Sequence, residues 1–306
     1  WEIEKKYACK RLRLNHIDIM EVAPLHDGLK TYAGRLHVKR MQELPYPPHL
    51  ELTPEQADFV RGYNVNDLDN TGTLYVELLP QIELREALGK EFGLDLRSKS
   101  DAQVAQEIIN GELEKVLGEK PKKPGSKVGM VFRYTSPAYV EFDTPELQQV
   151  LRDIEQAEIV VGPSGHVVCP RAIEGRVIVI GGRKYKIGMG GLHSQEKKQA
   201  VVSDENVMII DRDVTGYYPN LMLKNGFFPE HLGPGFLVAL GNLVDRRTKA
   251  KKLKIMVTAD GLKIATNGTF GKTSDPFSTL YDPPMMVATT LTGQLSLLML
   301  IRWLER

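Results

Sequence analysis

The chain has 306 residues, 42% hydrophobic and 26% charged, with 40 Lys and Arg against 39 Asp and Glu for a formal net charge of +1. Those fractions exclude a disordered or collagen-like chain and leave room for two domains or one large one. A total near neutrality excludes a uniformly basic surface but not basic patches, and the cations are clustered. Lys120, Lys122, Lys123 and Lys127 surround two prolines, Arg183, Lys184 and Lys186 surround Tyr185, and Arg246, Arg247, Lys249, Lys251, Lys252 and Lys254 form one dense run. Each cluster alone reads as a solvated face before it reads as a binding site. Two cysteines, Cys9 and Cys169, lie far apart without His neighbours at ligand spacing, which argues against a disulfide framework or a zinc site and for a reducing, cytoplasmic setting.

The chain opens on Trp1 with no signal-peptide pattern, which predicts a segment from inside a longer protein. In the first fifty or so residues Leu12, Leu14, Ile17, Ile19 and Met20 are candidate core. Asp18 among them reads as a cap or buried ion pair before it reads as a metal ligand. Pro45, Pro47 and Pro48 mark a loop, and Thr53-Pro54-Glu55-Gln56 then starts a helix with a capping Thr, Pro in the first turn and Gln three residues after the cap. On it Tyr63 and Asp67, four apart, share a face. A second helix is expected over residues 100–117, opened by Ser100 with Gln103 in capping-box spacing, and the Lys- and Pro-rich stretch Gly118 to Lys127 reads as a linker.

Val128 to Phe142 and Val160 to Val201 are rich in Val, Ile and Gly and predict short strands and turns. Between them Pro145 to about Ala157 is helical in pattern. The run Val207-Met208-Ile209-Ile210 predicts a strand buried on both faces, ending in Asp211 and Asp213 on one side of it, where charge needs a cation or a metal. Helices are expected from about Pro234 to Lys252 and from Asp260 to about Gly271. They form an antiparallel pair presenting Arg247, Lys251 and Lys263 inward, with Asn267 and Gly271 in line with Lys263. Met285 to Ile301 is uncharged but short for a membrane span and carries Thr289, Thr290, Thr292, Gln294 and Ser296, so it reads as a buried helix.

Two motifs carry a resemblance. Asp213-x-x-Gly216-Tyr217-Tyr218-Pro219 resembles the first palm motif of family B DNA polymerases, Asp-x-x-Ser-Leu-Tyr-Pro, and Lys263-x-x-x-Asn267-Gly268-Thr269-Phe270-Gly271 resembles their fingers motif, Lys-x-x-x-Asn-Ser-x-Tyr-Gly. Tyr63-Asn64-Val65-Asn66-Asp67 is similar to the third motif of the proofreading 3′-5′ exonuclease that precedes the polymerase. Tyr185 to Gly191 is loosely similar to a template-contacting Tyr-x-Gly-Gly element. The overall wording looks most like the bacteriophage enzymes.

The resemblance implies an α+β architecture with five segments. The C-terminal part of an RNase H-like exonuclease (1–117) is followed by a linker and template-side β-rich region (118–200), palm (201–233), two-helix fingers (234–274) and a palm helix (275–306). It implies DNA replication by two-metal phosphoryl transfer, with Mg2+ as cofactor and Mn2+ as a substitute. Asp213 and the Val214 carbonyl would hold magnesium, and Arg247, Lys251 and Lys263 would neutralise the triphosphate. Asn267 would line the nucleotide pocket, and Tyr218 would lie under the sugar and exclude a 2′-hydroxyl. In the exonuclease Asp67 would ligate metal and Tyr63 would orient the attacking water. Partners would be a DNA primer-template and deoxynucleoside triphosphates, with no membrane, in the host cytoplasm if the source is viral. The scheme leaves room for processivity or priming proteins.

Neither an Asp-x-Glu strand upstream of Tyr63 nor an Asp-Thr-Asp strand after Gly271 is present, so the 306 residues are expected to form an incomplete metal site by themselves. Asp153-Ile154-Glu155 has the Asp-x-Glu wording but falls downstream, within a helical pattern. Alternatives are an exonuclease alone, resting on Tyr63 and Asp67, and a non-catalytic DNA-binding module, resting on the basic clusters.

Overall fold

The computed structural model describes residues 15–305 apart from His26. Leu12, Leu14 and Cys9 lie outside the described residues. The chain divides into two compact units between Ser100 and Asp101.

The described part of the first unit is helical. Asp18 accepts from the Met20 N–H at 3.0 Å and so caps α1 (Ile19–Val22), while α2 (Leu29–Arg35) follows a loop. The 39-residue α3 (Pro54–Phe92) starts at a full capping box, in which Gln56 N–H donates to Thr53 Oγ1 at 3.3 Å and Thr53 N–H donates to Gln56 Oε1 at 2.9 Å. It ends at Gly93, whose φ of 71° is the left-handed cap that glycine adopts at least cost. Leu74, Leu78 and Ile82, at four-residue spacing, bury one stripe of α3 against Val22, Ala23 and Tyr32. The described residues of this unit include no strand, so an RNase H-like sheet is not among them.

The second unit begins with α4 (Asp101–Leu117). Two three-stranded antiparallel sheets follow. β1 (Val131–Phe132), β2 (Ile159–Val161) and β3 (Val167–Val168) make the first, with α5 (Pro145–Gln156) between β1 and β2. β4 (Val177–Ile180), β5 (Arg183–Lys186) and β6 (His193–Ser194) make the second. The β4–β5 hairpin turns on Gly181 and Gly182, with φ of 57° and 76°, as a two-residue turn that follows strand twist requires. Then come α6 (Tyr217–Asn225), α7 (Gly235–Lys252), α8 (Met256–Lys272) and α9 (Pro283–Leu304).

Two patches of core hold this unit together. Leu291, Leu295 and Leu298 of α9 pack with Leu147, Val150 and Ile154 of α5 and with Ile159, Ile178 and Ile180 of the sheets. Ile108, Ile109 and Leu113 of α4 are buried, as are Phe236, Leu240 and Leu243 of α7 and Leu262 and Ala265 of α8, and the three helices pack pairwise. That packing corrects the expected boundary at residue 117. The linker composition after Leu117 marks a break in regular structure, but the apolar stripe of α4 is satisfied by α7 and α8, so α4 belongs with the C-terminal unit. By length and composition α9 could cross a membrane, yet 61% of its most apolar stretch is buried inside the unit. Its buried Thr292 hydroxyl is hydrogen-bonded to the Tyr134 hydroxyl at 2.8 Å.

Candidate nucleotide site

The run Val207 to Ile210 is not the buried strand its composition predicts. It has no regular structure and no ladder partner among the described residues, and its residues are between 42% and 77% exposed. Its nearby bonds are local: Val207 accepts from Asp204 N–H, and Ile209 N–H donates to Ser203 Oγ. A strand gains stability only from neighbours, and the described residues place none beside this one. Asp211, Asp213 and Val214 are therefore in solvent, and the two carboxylates need no counter-charge.

Regular structure resumes at Gly216, whose φ of 58° starts α6. Pro219 falls in the first turn, where its missing N–H costs nothing, so it belongs to a helix start. Tyr217 and Tyr218 are thus consecutive helical residues, about 100° apart around the axis. Tyr217 turns inward, donates to the Gly293 carbonyl at 2.5 Å, and has its pKa pushed up to about 12, chiefly by burial. Tyr218 turns to α8 and stacks on Phe270, with ring centroids 4.0 Å apart and planes inclined by 8°. Arg247 completes this corner. Its Nη1 would lie 3.7 Å from a Cβ on Gly216, and its Nε is buried without a hydrogen bond.

Lys263, Asn267 and Gly271 line one cleft of about 660 Å³, as their spacing predicts. The opposite wall is α4, through Asp101 and Ala102, and Asp260 and Asp275 add negative charge to the rim. Arg247 and Lys251 do not line it, so the picture of two fingers helices presenting all three cations to one pocket is corrected. Arg247 goes to the Tyr218 corner, Lys251 is exposed, and Lys263 faces the α4 side. Gly268 has a packing reason: a Cβ there would stand 2.5 Å from the Ala105 Cβ of α4.

In the first unit Tyr63 and Asp67 share one face of α3, and the neighbouring Asp67 carboxylate is the main cause that raises the Tyr63 pKa. The ammonium of Lys30 lies 5.1 Å from the Tyr63 ring centroid and pairs with Glu43 at 3.0 Å. Burial works against the Lys30 charge, but hydrogen bonds to Glu43 and Tyr63 outweigh it and hold the pKa above its ordinary value. Asp67 Oδ1 is buried with no hydrogen bond, which suits a carboxylate that takes a cation.

Among the described residues no three His, Cys, Asp or Glu side chains converge. Asp213 and the Val214 carbonyl are hard oxygen donors, and magnesium is commonly held by one or two carboxylates together with substrate phosphates, so this donor set fits it. Asp153 and Glu155 are occupied elsewhere: Arg176 pairs with Asp153 at 2.7 Å and Ser136 Oγ donates to Glu155 at 2.6 Å. In the glycine-rich element, Gly188 N–H donates to Gln294 Oε1 at 3.0 Å and Gln294 Nε2 donates to the Gly188 carbonyl at 2.6 Å, a structural use of that glycine. Phe270, Lys30 and Gln294 are residues that sequence pattern did not single out for these contacts. Comparisons with family models, with characterised proteins and with solved structures find no match for this chain.

Proposed function

We propose that this chain belongs to a template-directed DNA polymerase and carries its site for the incoming deoxynucleotide, with residues of a proofreading 3′-5′ exonuclease in the first unit. One observation carries the reading. The Tyr218 and Phe270 rings, from motifs more than fifty residues apart in sequence, form one stacked aromatic surface. A flat surface of that kind packs against a deoxyribose and base, and Arg247, whose guanidinium stands at the same corner beside Gly216, offers a charge-assisted donor for a phosphate group. Asn267 offers an amide at the Lys263 cleft.

Magnesium held by Asp213 and the Val214 carbonyl would neutralise charge on the transferred phosphoryl group. In the first unit Asp67 would hold metal, and the Tyr63 hydroxyl, on the same helix face as Asp67, would orient water.

The test uses the intact protein with a primer-template, deoxynucleotides and magnesium. Template-directed incorporation that disappears in Asp213→Ala, together with primer degradation that disappears in Asp67→Ala, supports the reading. Degradation without incorporation would leave only the nuclease. Salt-sensitive binding indifferent to magnesium and nucleotides would leave only a DNA-binding module.

A further inference from the structure

Among the described residues no large apolar side chain is more exposed than Phe277, at 82%. It does not sit on a loose loop. Phe277 N–H donates to Asp275 Oδ1 at 2.9 Å, Ser278 N–H donates to the Asp275 carbonyl at 2.9 Å, and Lys272 pairs with the Asp275 carboxylate at 2.9 Å. The preceding Pro276 packs against Gly165, whose φ of 82° and missing Cβ make the approach possible, since a Cβ would stand 2.7 Å from the proline ring. Tyr281 donates its hydroxyl to the Gly165 carbonyl from below. The backbone thus fixes the ring in water, where an apolar side chain gains nothing by itself.

The ring forms part of a cleft of about 410 Å³ with Lys123, Ser126, Lys127 and Ser164. The Lys123 ammonium lies 4.8 Å from the ring centroid on one face, and the exposure of the ring leaves the other open. The supporting segment from Gly118 to Val128 has four lysines and a single acid, Glu119, and it carries Pro121 and Pro124. Of the nearby carboxylates, Asp275 is taken up by Lys272 at 2.9 Å and the Phe277 N–H, while Glu230 at 4.0 Å from Lys127 and Glu119 at 3.5 Å from Lys122 are exposed and screened by water.

We propose that this cleft holds a single strand of nucleic acid, with one base stacked on the open face of Phe277 and the flanking phosphates paired with Lys123 and Lys127. Charge complementarity alone would suit any polyanion, but a rigidly presented flat ring beside the cations suits a base joined to its phosphate. In the polymerase reading, on which this inference rests, the strand is the template.

The experiment is anisotropy of a fluorescein-labelled single-stranded oligodeoxynucleotide, titrated with the 306-residue chain over a series of salt concentrations. Phe277→Ala should weaken binding about tenfold and Phe277→Trp should stay within about twofold, because stacking on an aromatic ring tolerates the exchange. The Lys123→Ala/Lys127→Ala double variant should flatten the slope of log affinity against log salt by about 1.4, two single-strand phosphate contacts. Wild-type affinity in Phe277→Ala, whether or not the lysine variant is weakened, would overturn the proposal and leave at most a polyanion contact. A Phe277-dependent strand affinity in a protein that incorporates no nucleotide would remove the polymerase reading and leave the cleft. Normal incorporation with wild-type strand affinity in Phe277→Ala would do the reverse.

Discussion

Tyr217 donates its hydroxyl to the Gly293 carbonyl at 2.5 Å, and a Cβ on Gly293 would stand 3.3 Å from the Tyr217 ring and 3.0 Å from Leu221 Cδ1. α6 and α9 approach this closely because residue 293 has no side chain. Gly293→Ala should therefore destabilise the protein by about 1–2 kcal/mol, the cost of overpacking outweighing roughly 1 kcal/mol of gained helix propensity. Tyr217→Phe should cost about 1 kcal/mol through the lost hydrogen bond. Urea unfolding of both variants tests this, and a stabilised Gly293→Ala would show that the helices have room to part.

The same tyrosine sets an alkaline limit. Burial raises the Tyr217 pKa from 10.0 to about 12, and burial also raises that of Tyr134 against the opposing Thr292 hydrogen bond. Between those values the unfolded state releases the proton that the folded state keeps, so stability must fall as pH rises. The contribution is complete below about pH 10 and is lost progressively toward pH 12. Unfolding midpoints followed from pH 8 to about pH 12 should fall more steeply in the wild type than in Tyr217→Phe, which has no phenol to ionise there.

Gly268 offers a sharper packing test. A Cβ at this position would overlap the Ala105 Cβ at 2.5 Å, so Gly268→Ala should destabilise the α4–α8 contact by about 1–3 kcal/mol. Ala105→Gly in the same chain should recover part of that loss. The pair is in direct contact, so a double-mutant cycle should show coupling above about 0.5 kcal/mol. Simple additivity would mean that α4 and α8 do not pack as described.

What could be read from the sequence was what local chemistry decides. The Thr53 and Gln56 capping box starts α3 where the pattern puts it, and Pro54 and Gly93 bracket the helix for stated backbone reasons. The pattern falls short where the fold depends on a distant partner. Val207 to Ile210 has the composition of a buried strand, but a pattern cannot supply the neighbouring strand that would bury it. α4 precedes a linker, and nothing in Ile108, Ile109 and Leu113 says which side of that linker they pack on. The resemblance of two motifs groups Tyr218 with the Lys263 helix, while the Phe270 stack itself, like Lys30 over Tyr63, is a long-range contact that periodicity does not encode.

Gln294 clamps both backbone groups of Gly188 and is buried on α9. Gln294→Leu keeps the volume but strands a donor and an acceptor, which should cost about 2–4 kcal/mol. Because Gly188 follows β5, hydrogen exchange should speed up first in residues 183–194 and leave α4, α7 and α8 unchanged. Uniform loss of protection would mean that the clamp supports the whole unit.

The sugar selectivity expected of a polymerase separates the roles of the two tyrosines. Tyr218 lies on the aromatic surface with Phe270, whereas Tyr217 is tied to Gly293. If Tyr218 packs under C2′ of the nucleotide, deoxyribose is chosen by steric exclusion and the phenol oxygen is dispensable. On the proposed polymerase function, Tyr218→Ala and Tyr218→Val in the intact protein should raise ribonucleotide incorporation about tenfold or more, and Tyr218→Phe should keep most of the discrimination. Phe270→Ala removes the ring that fixes Tyr218 and should relax selectivity partially, with a higher KM for the deoxynucleotide. Tyr217→Ala should lower stability and leave sugar choice alone. Single-nucleotide primer extension with matched ribo- and deoxynucleotides measures each ratio. Relaxed selectivity in Tyr217→Ala with none in Tyr218→Ala would transfer the gate to the other tyrosine and, with it, the metal role from Asp213 to Asp211.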